Sequence, residues 1–270
     1  MKTVCRFKKF TFLSLAAFFF VAAALYPASG YAAGTGGITV SAAISLKNAF
    51  EEIGRLFTAQ NGGAKVTFNF GASGDLIRQI EQGAPVDVFA SAAEKEMNEI
   101  DKKGLIVPGT RSDFAGNNMV LIVPGGKFSG KAVIKNFSDL AGAGVTRIAV
   151  GNPAVVPAGR YAEAVLRYFR LLPAIQGKLV YGGNVRQVLG YVMRGEVDAA
   201  LVYSTDAAIV SGQVRVAAIA PPASHKPILY PMAAIKGSAN GRLATAFMSL
   251  VKSAQGRTIL EKYGFQVISR

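Results

Sequence analysis

Ser45 and Ser73 occupy equivalent places, each at the end of an apolar run and just before a stretch of helical spacing, Leu46-Lys-Asn-Ala49 after the first and Gly74-Asp-Leu-Ile77 after the second. A serine at such a strand-to-helix turn is expected to cap the helix. Two in consecutive units imply more, because both turns fall at the carboxyl edge of one sheet, where α/β proteins bind ligands. Their hydroxyls and the free N–H groups of each first helical turn are all donors, and with two positive helix-dipole ends they suit an anion. The second half offers matching turns. Pro153-Ala-Val-Val-Pro-Ala-Gly159 and Gly182-Gly-Asn-Val185 each lead into a helix and present backbone amides, and Tyr203 ends a strand with a phenolic donor. Arg160 and Arg186 stand one residue beyond two of these turns. They are read as outward or supporting groups, not as direct contacts to the anion.

Other chemistries find little to work with. One Cys and one His leave structural zinc, iron–sulfur clusters and disulfide frameworks without ligands. A serine hydrolase would need Gly71-Ala-Ser-Gly-Asp75 as its nucleophile elbow, but Asp75 stands where the last glycine belongs, and the sole candidate base is His225 in a loop beside Pro227. Gly125-Gly-Lys127 is followed by Phe128 instead of Ser or Thr, so no phosphate-binding loop is present. Asp75 is the single acid within two residues of a proposed ligand, and it reads as a first-turn acid stabilised by the helix dipole.

The elements that must position these turns alternate along the chain. Residues 38–44 read as a buried strand, and apolar residues at 46, 49, 50, 53, 56 and 57 follow at helical spacing. Residues 65–70 alternate, with Val66, Phe68 and Phe70 on one face, before a short helix carrying Leu76, Ile77 and Ile80. Further strands are expected at 86–91, 119–124, 147–150, 179–181, 198–203, 214–220 and 228–235. Helices are expected at 94–103, 161–172, 185–194 and 241–263, with a helix-and-loop connection at 136–144. Strands alternating with helices argue for an α/β fold with mostly parallel sheets covered on both faces, arranged as two lobes.

At 51% hydrophobic and 17% charged, the 270-residue chain can bury a sizeable core and is not a disordered polyelectrolyte. Residues 1–33 have a basic start with Lys2, Arg6, Lys8 and Lys9, an apolar run and a small-residue end, the three parts of a cleaved secretory signal. The 17 residues from Phe10 to Tyr26 fall short of the ~20 a membrane-spanning helix needs. Cys5 goes with that segment, and the formal charge of +14 drops by four to +10. The remaining lysines are scattered, so a solvated basic surface is expected and nucleic acid is not a partner; a polyanion-binding surface protein rests on the charge alone.

The turns together resemble the periplasmic molybdate-binding proteins of ABC importers, within the type II solute-binding proteins. The resemblance runs from Ile38 to Phe265 through Ala42-Ala-Ile-Ser-Leu-Lys-Asn-Ala49, Phe70-Gly-Ala-Ser-Gly-Asp-Leu-Ile-Arg-Gln-Ile80, Gly83-Ala-Pro-Val-Asp-Val-Phe-Ala-Ser-Ala92, Gly151-Asn-Pro-Ala-Val-Val-Pro-Ala-Gly159, Asn184-Val-Arg186, Val202-Tyr-Ser-Thr-Asp-Ala207 and Lys262-Tyr-Gly-Phe265. It implies a periplasmic protein of two lobes, 34–116 plus 222–270 and 117–221, joined by a two-strand hinge that closes on the ligand. Ser45 and Ser73 would bind oxyanion oxygens through hydroxyl and amide, Ala158 and Val185 through amides, and Tyr203 through its hydroxyl. The ligand would be molybdate or tungstate, with molybdenum held only inside its oxyanion, and sulfate or another small oxyanion is the alternative. No catalysis and no cofactor are implied; the partner is a membrane permease, and a monomer is expected. Two departures stand out. The family often carries several serines around the second site where this chain has Ala72 and Gly74, and Ile44 replaces a small residue before the first serine.

Overall fold

The structure, a computed structural model, describes residues 36–125 and 133–268. The expected signal segment 1–33 and most of the loop after Gly125 lie outside the described residues. In chain order, β1 (Gly37–Ala43) leads through a 3-10 turn (Ile44–Leu46) into α1 (Lys47–Gln60), and β2 (Lys65–Gly71) runs directly into α2 (Ser73–Glu81). Then come β3 (Val88–Ala90), α3 (Glu94–Lys102), β4 (Ser112–Asn117), β5 (Met119–Pro124), a 3-10 turn (Phe137–Ala141) and β6 (Ile148–Gly151). The chain continues with α4 (Pro157–Tyr168), α5 (Leu172–Ile175), β7 (Leu179–Gly182), α6 (Val185–Met193), β8 (Ala199–Tyr203), α7 (Ser204–Ala208) and β9 (Val214–Ile219). It closes with β10 (Ile228–Ala234), α8 (Gly241–Lys252), α9 (Ala254–Lys262) and β11 (Gln266–Val267).

These strands form two sheets flanked by helices, with orders β11-β4-β10-β3-β1-β2 and β7-β6-β8-β5-β9. Each holds a parallel trio, β2-β1-β3 in one and β7-β6-β8 in the other. Antiparallel strands extend both trios, β10 beside β3 and β5 beside β8, so the sheets are more mixed than strand–helix alternation alone predicts. Apart from β11, which pairs with β4, the antiparallel members are the strands on either side of the passages between the sheets. Asn118 alone separates β4 in the first sheet from β5 in the second, and the chain returns between β9 and β10.

Apolar spacing decides which helix faces are buried. On α1, Ala49, Phe50, Ile53 and Phe57 are buried, and Phe50 and Phe57 both meet Phe247 of α8 edge-on, at centroid distances of 5.7 and 5.6 Å. Burying one such ring contributes about 1.5–3 kcal/mol. Helix α3 stops where Gly104 takes φ +68, a left-handed conformation that a side chain disfavours.

Several boundaries differ from expectation. The helix expected at 161–172 begins at Pro157, whose fixed φ suits the first helical position, and a separate short α5 follows. The expected 241–263 helix is two, because Ser253 leaves helical geometry and caps α9, its Oγ accepting from the Gly256 N–H at 3.2 Å. Strands β4 and β11 had no sequence signal. Ser-Asp-Phe-Ala-Gly-Asn has no β-branched residue, and pairing with β10 decides its conformation.

Candidate functional site

Both parallel trios end toward the same small cavity, lined by Ser45, Ser73, Ala158, Val185 and Tyr203 together with the 43–44, 71–72, 92, 156–157 and 184 backbone turns. All five residues singled out in the sequence therefore come together, and all are buried, Ser73 and Ala158 completely. Every lining side chain is uncharged. Larger grooves exist, such as one of about 370 Å3 lined by Val150, Leu166, Leu172 and Tyr181, but no set of helix N-termini converges there.

The capping role expected of the serines is not what the structure holds. Ser45 sits inside the 3-10 turn, and its Oγ is 3.1 Å from the Tyr230 hydroxyl. Ser73 is the first residue of α2, after an extended Ala72, and its Oγ accepts the Ala92 N–H at 3.1 Å. A capping serine would satisfy first-turn amides itself; here the Gly74 and Asp75 N–H groups of α2 go instead to the Val155 and Ala72 carbonyls, and the Ser73 amide remains for a ligand. Asn184 is a true cap, its Oδ1 accepting the Gln187 N–H at 2.9 Å, and this aims the start of α6, where Val185 is the first helical residue. At α4 the first position is Pro157, which has no N–H, so Ala158 carries the first amide that helix can offer. Three helices of nine, twelve and nine residues thus present their positive ends to one cavity.

Tyr203 supplies a further donor. Its hydroxyl lies 3.5 Å from the Ala92 carbonyl, a long contact across the two sheets that leaves the O–H available. Burial raises its pKa well above the ordinary phenol value, so the hydroxyl stays protonated.

Arg160 and Arg186 do not line the cavity. Arg160 on α4 reaches across to Glu96 on α3 at 2.5 Å, and Arg186 on α6 holds Asp206 at 2.5 Å. Both carboxylates are buried and their pKa values are raised by desolvation, which the arginines oppose. Asp75 pairs with Arg78 on its own helix. The His225 Nδ1 is 2.7 Å from the Lys226 carbonyl, and the serines bond to Tyr230 and Ala92, so neither hydroxyl meets an imidazole.

The cleft is closed. Besides Arg160–Glu96, the Gly74 N–H donates to the Val155 carbonyl at 3.0 Å, joining α2 to the turn before α4. A Cβ at Gly74 would come within 2.7 Å of that oxygen, so the glycine permits the approach. This gives a physical reason for a glycine at position 74. Sequence reasoning missed Tyr230 and Asn117, which lie behind Ser45; an isolated tyrosine in a strand and an asparagine between two strands carry no local signature of such a role.

Comparison with known proteins follows the same outline. The family model for bacterial extracellular solute-binding proteins matches residues 38–266. The molybdate-binding protein ModA of Haemophilus influenzae is 36% identical over 84% of this chain and 89% of its own length. A putative ABC transporter substrate-binding lipoprotein, YvgL, of Bacillus subtilis is 38% identical over 84% of this chain and 85% of its own. Among solved structures, the periplasmic molybdate-binding protein of Azotobacter vinelandii superposes with a TM-score of 0.76 at 28% identity, covering 86% of this chain and all of that one.

Proposed function

The chain belongs to the bacterial extracellular solute-binding protein family, and from that premise we propose that it is the periplasmic receptor of an ABC importer for molybdate, with tungstate as a second ligand. The observation that carries this reading is the convergence of uncharged donors, the Ser45, Ser73 and Tyr203 hydroxyls and three helix N-termini, on one small closed cavity. Molybdate, tungstate and sulfate near neutral pH are fully deprotonated and present only acceptor oxygens. A pocket of donors satisfies them without a counter-charge in contact, and the helix dipoles complement their charge. That the relatives are molybdate-binding proteins supports molybdate as the ion bound here.

Ser45 and Ser73 bind through hydroxyl and amide, Ala158 and Val185 through amides, and Tyr203 through its hydroxyl. The protein binds and releases the ion without converting it. The lobes, 34–116 plus 222–270 and 117–221, rotate about the paired crossings, and the closed form is what the membrane permease recognises. The leader 1–33 is removed on export, and the mature protein acts as a monomer.

Substitution of the pocket tests this reading. Ser45→Ala and Tyr203→Phe each remove one hydrogen bond to an ion, so molybdate affinity by calorimetry should fall roughly 10- to 100-fold. Unchanged affinity in both would remove these residues from the site.

A further inference from the structure

The cavity brings a proton-bearing hydroxyl to the anion only if the Ser45 O–H points inward, and the residues behind Ser45 bear on that direction. The Asn117 side chain sits between the sheets at the end of β4, buried. Its Oδ1 accepts from the Asn118 backbone N–H at 2.9 Å and from the Ser204 hydroxyl at 2.9 Å. A backbone N–H can only donate, so this contact fixes which end of the amide is oxygen. The Nδ2 group therefore faces the other way, where it donates to the Tyr230 hydroxyl oxygen at 3.1 Å and to Thr205 Oγ1 at 2.9 Å. The Tyr230 oxygen, having accepted from Asn117, directs its own proton along its remaining contact, to Ser45 Oγ at 3.1 Å. Ser45 Oγ then receives a proton from behind, and its own O–H is left to point into the cavity.

We propose that Asn117 and Tyr230 form a one-way donor chain that fixes the Ser45 hydroxyl as a donor to the bound anion, and thereby disfavours oxyanions that carry a proton. The proposal rests on the oxyanion-receptor reading given above. Ser73 follows the same logic with a simpler support, since its Oγ accepts the Ala92 N–H and keeps its own proton for the ligand. Both serines are polarised from behind, one by a backbone amide and one by two side chains from the crossing strands. Hydrogen phosphate, which must donate its proton to some acceptor, meets only donors at both places. Tyr230 is fully buried and its pKa is raised by desolvation, so it keeps the proton that the chain passes toward Ser45. Asn117 and Tyr230 are positioning residues: they touch Ser45 or one another, and neither lines the cavity.

Tyr230→Phe deletes the middle link and keeps the ring that packs against Phe114, Tyr203 and Phe265. Asn117→Asp keeps the shape but replaces the amide donor with an acceptor, so that Tyr230 donates backward and Ser45 Oγ turns a lone pair to the ligand. The probes are molybdate and inorganic phosphate, titrated calorimetrically into the full mature protein, with thermal melts of the ligand-free variants as a check on folding. Molybdate affinity is expected to fall ~3–10-fold in Tyr230→Phe and ~10–100-fold in Asn117→Asp, with the molybdate-to-phosphate ratio narrowing in both. In a Ser45→Ala background, Tyr230→Phe should cost almost nothing more, because the chain has lost its end. A Tyr230→Phe variant that binds molybdate as its parent does, or that weakens both anions alike and additively with Ser45→Ala, overturns the chain. A parent that binds no molybdate overturns instead the receptor reading beneath it. Should Asn117→Asp not fold, Tyr230→Phe and its double variant decide alone.

Discussion

At the residue scale, the same side-chain type does opposite work depending on where its hydrogen bond goes. Ser45 and Ser73 look like helix caps in the sequence because strand, serine, helix is the pattern of a cap. The structure has their hydroxyls bonded to Tyr230 and Ala92 and not to the amides of their own helices. That choice depends on residues 185 and 19 positions away, which no local pattern encodes. Positions were therefore legible and bonding was not. Asn184 is the contrasting case, a cap by its bond to Gln187 as well as by its place. Asn184→Ala should destabilise the ligand-free chain by about 1 kcal/mol and also weaken molybdate binding, since α6 loses the bond that aims the Val185 amide. Chemical denaturation beside calorimetry would measure both; a stability loss with unchanged affinity would mean that Val185 needs no such support.

At the scale of elements, α2 and the turn before α4 meet so closely that one glycine decides whether they can. Alternation of apolar residues located most strands, and helical spacing placed α1 and α2 and bounded α3 and α6 to within a residue. The failures share a cause. Strand β4 is held by pairing with β10, and the break between α8 and α9 by the Ser253 cap and by Gly256, where a Cβ would lie 2.1 Å from the Leu250 carbonyl. Tertiary context overrides local preference at each. Gly74→Ala places a methyl group against the Val155 backbone and should hold the lobes apart without touching the anion. Molybdate affinity is expected to fall by at least about tenfold, a loss of some 1.4 kcal/mol, and X-ray scattering should show less compaction on adding ligand than in the parent. Full compaction in the variant would contradict the proposed role of this contact in closure.

For the whole molecule, charge is kept out of the pocket and placed where it ties the lobes together. Strand–helix alternation pointed to the two-sheet α/β architecture, but the cross-cleft Arg160–Glu96 pair was not legible, because nothing local relates α3 to α4. Burial raises the Glu96 pKa, so between its ordinary value of 4.5 and its raised one the folded chain holds a proton that the unfolded chain has released. The sign follows: this component of stability is lost as pH rises through that window. In Glu96→Gln it is missing, and the melting temperature of the variant relative to its parent should increase as pH climbs above 4.5; a difference that stays flat with pH would remove Glu96 as a source. The central claim, that a closed pocket of neutral donors selects a fully deprotonated tetrahedral oxyanion, is tested most directly by calorimetric titration of the anion-free mature protein with molybdate, tungstate, sulfate and phosphate at equal ionic strength. Tight one-to-one binding of molybdate and tungstate, with far weaker sulfate and phosphate, is the expected result. Phosphate bound as tightly as molybdate, or no heat from any of the four, would contradict it.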